Sequence, residues 1–165
     1  MANTFSVLSY SPKDVVLIVA GYQVTGWEKI SITRTRKAFT PIPGIRGKST
    51  RAVSRDTSAT VSVSILQTSA SNEVLSHIHT MDTQQGTGIL PIILKDMSGT
   101  SVFSSEQAYI TGYPAVAYSG QFEYRAWEIF CETTKTFNVA GNSRPSTNLF
   151  DGVVSEVSDF LNDIF

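Results

Sequence analysis

The chain has 165 residues, 13 Lys and Arg against 14 Asp and Glu, one cysteine and no apolar run long enough to cross a bilayer. These values exclude a membrane-spanning helix, a disulfide-stapled miniature domain and a strongly basic nucleic-acid coat, and they fit one domain burying roughly 70% of its unfolded surface. Charged residues make up only 16%, while 21 Ser and 18 Thr supply the polar surface, an outside suited to meeting other protein as well as water.

Met1 to Phe5 lacks the basic start and apolar run of a secretory signal, so the chain is expected to be made in the cytoplasm and kept there at first. Val15 to Ala20 is a continuous apolar run followed by turn chemistry at Gly21-Tyr22 and Thr25-Gly26. Glu28 to Lys37 reads as a strand with Ile30 and Ile32 inward. In Phe39-Thr40-Pro41-Ile42-Pro43-Gly44-Ile45-Arg46-Gly47-Lys48, two prolines remove donors and two glycines favour bends, so regular strand pairing is not expected. The segment reads as a long protruding hairpin, an arm over about 38–50 between strands 29–38 and 49–55, with Ile42 and Ile45 near its tip.

From Ser58 to Gln67, Ala59, Val61, Val63 and Ile65 alternate with Thr60, Ser62 and Ser64, the pattern of a strand with one buried face. Ser71 to Met81 carries Val74, Leu75, Ile78 and Met81 on one stripe, which predicts a helix over about 71–82 with Ser71 as its N-cap. Strands are then expected at 89–94, 108–118 and 122–134, the last two joined by a short hairpin turn at Ser119-Gly120-Gln121. After the polar stretch from Gly141, Phe150, Val153, Val154, Val157 and Leu161 recur with helical spacing opposite Asp151, Glu156, Asp159 and Asp163. The expected organisation is a β-domain over 1–140 and a linker with an amphipathic C-terminal helix over 141–165. The fold class is mainly β: an antiparallel sandwich or barrel with one flanking helix, the arm and the C-terminal helix.

Charge is segregated along this order. Residues 29–55 hold eight of the 13 basic residues and no acid, whereas the last 20 residues hold four acids and no base. The two ends are complementary, most simply between copies. An apolar-tipped basic arm is the kind of feature that meets a partner. Sequence-specific DNA reading is not expected from it, because Phe39 is its one interleaved aromatic.

Catalytic constellations fail one by one. His77 and His79 are two apart and point to different helix faces, which rules out the i, i+4 zinc geometry; His79 near Asp82 reads as a surface pair. Gly86-Thr87-Gly88 runs into a strand and so makes no phosphate loop. Cys131 shares the apolar parity of Trp127 and Ile129 and reads as a buried, inert thiol. No enzymatic activity, cofactor or metal is expected.

The element order resembles the tail tube proteins of tailed bacteriophages, particularly contractile-tailed ones. The residues that carry the likeness are Asp14 to Gly21, Val24-Thr25-Gly26-Trp27, Gly47 with the polar run to Asp56, and Thr60 to Ser69 followed by Asn72 and Leu75. It covers about residues 7–140, and the C-terminal helix departs from it. The resemblance implies a virion structural protein that assembles as stacked hexameric rings around a lumen through which double-stranded DNA passes into the host without sequence-specific binding. Its implied partners are other copies of itself, a tail sheath protein, a tape-measure protein and baseplate or terminator proteins. The implied ring-stacking residues are Phe39, Ile42, Ile45, Arg46 and Lys48, and the lumen-facing candidates are Glu128 and Glu132. Phe150, Val154, Val157 and Leu161 are the C-terminal interface candidates. A type VI-like secretion tube ring is the alternative use of the same fold, and a DNA-binding module using 29–55 is a third reading.

Overall fold

Alternation of apolar and hydroxyl residues builds most of the protein, whose computed structural model describes residues 8–141 and 144–145. In chain order the elements are β1 (Leu8–Ser9), β2 (Val15–Val19), β3 (Tyr22–Gln23), β4 (Trp27–Arg34), β5 (Phe39–Pro43), β6 (Ser49–Val53), β7 (Ala59–Leu66), α1 (Ser71–Gln85), β8 (Leu90–Asp96), β9 (Val102–Gly112), β10 (Tyr124–Thr133), β11 (Thr136–Asn138) and β12 (Arg144–Pro145). The main sheet runs β3-β2-β8-β9-β10-β7-β4, with β11 added on β9. All described strand pairs are antiparallel. The fold is mainly β with one flanking helix among the described residues, as the alternation implies; the expected C-terminal helix lies outside them.

The core follows from side-chain parity. β7 turns Ala59, Val61, Val63 and Ile65 inward, and β10 sets Trp127, Ile129 and Cys131 beside them. Phe103 and Ile110 of β9, Ile92 of β8 and Leu75 of α1 complete the cluster. Leu17 and Val19 come from one end of the sheet and the half-buried Ile30 and Ile32 from the other. Trp27 and Ile32 of β4 line one groove with Val15 of β2 and Leu94 of β8. The sheet is therefore curled until its two ends approach, which gives a sandwich-like body with one closed core.

Four expectations change. The helix starts at Ser71 but is not capped by it: Ala70 holds the cap position, and the buried Ser71 hydroxyl accepts the Thr25 N–H at 2.9 Å, tying the loop before β4 to the helix. Met81 is exposed, and the inward stripe is instead Ser71, Leu75 and His79, each four residues from the last. The strand expected at 108–118 runs from Val102 to Gly112, and residues 113–123 form a loop rather than a short turn. Pro114, which has no N–H to give a ladder, sits just past the strand's end. The segment with Pro41 and Pro43 does pair regularly, with Phe39 opposite Val53, Pro41 opposite Arg51 and Pro43 opposite Ser49.

Backbone parity is what lets these prolines pair. Ser54 N–H donates to Ala38 O and Gly44 N–H to Lys48 O, so the even-numbered residues of β5 face β6. The prolines occupy odd positions, where the missing donors fall on the free edge of the ribbon and cost no hydrogen bond.

Candidate functional site

Three surfaces stand apart from the packed core: the arm, the open face of the sheet and a groove beside α1. The arm is a ribbon of two strands in a sheet of its own. Every residue of β5 is exposed, as is every residue of β6 except Ala52. Its tip closes through Gly44 N–H to Lys48 O at 2.8 Å and Gly47 N–H to Gly44 O at 3.1 Å. Gly47 has φ +83°, and a Cβ on Gly44 would lie 2.5 Å from Lys48 O, so the tip needs both glycines. Cross-strand pairing sorts the side chains onto two faces: Phe39 and Val53 share one with the prolines, while Ile42 shares the other with Thr50. The Arg51 guanidinium stands 4.3 Å from the Phe39 ring centroid. At the root, Arg36 lies 3.9 Å from Asp56. Hydrogen bonds from Ser58, with smaller help from Arg36 and Arg34, hold the Asp56 carboxyl below its ordinary value.

All five arm residues expected from the sequence thus fall on one projecting element. Phe39 and Ile42 are about half exposed, Ile45 is fully exposed at the tip, and Arg46 and Lys48 are exposed beside it.

Glu128 and Glu132 are exposed on the face of β10 opposite Trp127, Ile129 and Cys131. Glu128 is in register with Ser62 of β7 and Gly112 of β9, and Ser62 is in register with Ser31 of β4. The acid therefore stands in a row of small residues spanning four adjacent strands. Phe150, Val154, Val157 and Leu161 lie outside the described residues.

The third surface is not evident from the sequence pattern. The 113–123 loop and α1 enclose a groove of about 470 Å³, with Arg125 and Trp127 on its β10 side. Arg125 sits on the parity of the buried residues of its strand and is itself buried. A lone cation on an apolar parity is the signal that was available. Asn72 of α1 ties this region together: its Nδ2 donates to Leu66 O at 2.8 Å and Ser69 O at 3.2 Å, and its Oδ1 accepts the Trp127 Nε1–H at 3.0 Å. His79 does not form the surface pair expected with Asp82: its ring is buried 4.6 Å from the Tyr113 ring, edge to face, and Asp82 accepts the Gly88 N–H instead. Burial pushes the Cys131 thiol up to about 11, against a small opposing hydrogen bond with Ser105.

Known structures place this fold. It is similar to that of the cap described as the anti-feeding prophage cap, an AFP tube terminating cap, with a TM-score of 0.55 and 11% identity over 85% of this chain and 100% of that one. No protein-family profile matches the sequence. The chain is 30% identical over 149 residues to structural protein ORF10 of Pseudomonas phage KPP10, covering 84% of this chain and 86% of that one. It belongs to the family of that phage structural protein.

Proposed function

We propose that the protein is a structural subunit of a phage tail, one that assembles as rings stacked into a tube whose lumen passes DNA. The observation that carries this reading is the arm. The body closes its core without it, yet the arm holds Phe39, Ile42, Ile45 and Val53 in water at a distance from that core. Exposed apolar side chains on a ribbon set apart from the core are a standing solvation cost that a partner surface removes. Family membership with a phage structural protein and a fold shared with a tube-terminating cap support the same reading.

In this reading Phe39, Ile42, Ile45, Arg46 and Lys48 reach the adjacent ring. The open face of β4, β7, β10 and β9 lines the lumen, where Glu128 and Glu132 keep phosphates from adhering while Ser31 and Ser62 stay neutral. The subunit works as a scaffold with no catalytic step, and its place is the virion. Sheath, tape-measure and baseplate or terminator proteins are its proposed neighbours.

The test is an arm deletion. Removing residues 40–47 takes out only exposed residues, so folding is retained, while rings that stack into tubes in the parent stay single in electron micrographs. Stacking that survives the deletion refutes the arm's role. A second reading, a terminating cap, is favoured by the match that spans the whole of the cap chain. A terminating cap sits at the end of a tube, so antibody labelling of virions at a single point, rather than along the tail, selects it.

A further inference from the structure

The groove between α1 and the 113–123 loop holds a charge that the fold does not use up. Arg125 is 8% exposed. Its guanidinium donates to Ala117 O at 3.1 Å and lies 5.2 Å from the Tyr118 ring centroid. Among the described residues no carboxylate is within ion-pair distance of it. A guanidinium carries five N–H donors, and a buried cation without a counter-ion is expensive, so this site is favourable to an incoming carboxylate. Around it the loop exposes Tyr113, Val116 and Tyr118, and the Trp127 ring lies on the β10 side of the groove. Tyrosine, tryptophan and arginine at one concave site are the composition of an interface centre.

We propose that this groove receives the acidic C-terminal stretch, residues 146–165, of a second copy of the chain. The inference rests on the ring reading above and names the contact that closes the ring. The stretch has what the groove lacks: Asp151, Glu156, Asp159 and Asp163 with no Lys or Arg, interspersed with Phe150, Val154, Val157 and Leu161. A carboxylate from it meets the Arg125 fork in a paired, charge-assisted contact, and its apolar residues cover Val116 and Tyr118. The arm is the competing basic surface, but its cations are solvent-exposed, where pairing yields little; Arg125 is already desolvated. A ring also needs two different complementary patches on each subunit, and a tail handed to the next copy supplies them.

Photo-crosslinking of the full chain decides it. Tyr118 is 85% exposed, so Tyr118→benzoylphenylalanine leaves the core intact. Equal parts of nitrogen-14 and nitrogen-15 protein are mixed, irradiated and mapped by mass spectrometry. The expected products join position 118 to peptides within 146–165 and include mixed-isotope pairs. Same-isotope pairs alone, links to the arm, or links elsewhere overturn the inference. In parallel, Val116→Asp places a competing carboxylate beside Arg125 on an exposed residue. It is expected to raise the concentration needed for half-assembly about tenfold or more, as loss of one central interface contact does; an unchanged midpoint overturns the inference. Rings without the mixed-isotope link refute this contact alone. Absence of any oligomer in the unmodified protein refutes the ring reading and this contact with it.

Discussion

Replacing Asn72 by alanine removes three hydrogen bonds at the junction of helix, sheet and core. The side chain joins α1 to the end of β7 through Leu66 O and Ser69 O, and it satisfies the indole N–H of Trp127, which is only 2% exposed. Each bond contributes about 1 kcal/mol net, and an indole N–H left buried without a partner costs about 1–3 kcal/mol. The expected loss for Asn72→Ala is therefore about 2–4 kcal/mol, a fall in Tm of roughly 5–15 °C for a domain of this size. Trp127→Phe removes the donor together with part of the packing, so in the double variant the penalty for the orphaned N–H disappears. A double-mutant cycle by urea unfolding, followed by circular dichroism on unassembled protein, should show coupling of about 1 kcal/mol or more. Strict additivity refutes the bond as a stabilising link, and an Asn72→Ala loss below about 0.5 kcal/mol refutes the junction altogether.

Three further outcomes are expected. Ala20 adopts φ +51° in the two-residue turn between Val19 and Tyr22, so Ala20→Asn, a residue that tolerates the left-handed region, raises stability by about 0.5–1 kcal/mol in the same unfolding assay. Cys131, buried and with its thiol pushed up to about 11, stays unalkylated by iodoacetamide at pH 8 until denaturant is added; labelling of the native protein contradicts its burial. The Glu128→Lys and Glu132→Lys pair lies on an exposed face, so tubes still assemble but DNA ejection measured by dye release slows; normal ejection removes the electrostatic role assigned to these acids.

Much of the fold was legible because half-buried strands record their burial in period two. Ser58 to Gln67 and the parity of Trp127, Ile129 and Cys131 placed two central strands and the face carrying Glu128 correctly. What escaped was decided by tertiary context. Ser71 looks like a helix cap by type, but its hydroxyl is taken by the Thr25 N–H from 46 residues away, a contact no local pattern encodes. Pro41 and Pro43 read as breakers by residue type alone, but two prolines two apart leave one edge of a ribbon whole. The groove beside α1 is hidden in the sequence because residues 113–118 and 122–123 read as strand on either side of a short turn, and only the end of β9 at Gly112 turns 113–123 into an exposed loop. Arg125 was the one local clue, a cation where alternation favours an apolar side chain.

The proposed function makes this chain a ring subunit that stacks. Cryo-electron microscopy of the purified full-length protein, concentrated at low salt, tests it most directly. Closed rings are expected, with the arm of each subunit bridging to the next ring and the Ser31, Ser62 and Glu128 face turned to the channel. A monodisperse monomer at every concentration, or rings whose arms lie free in solvent, would contradict it.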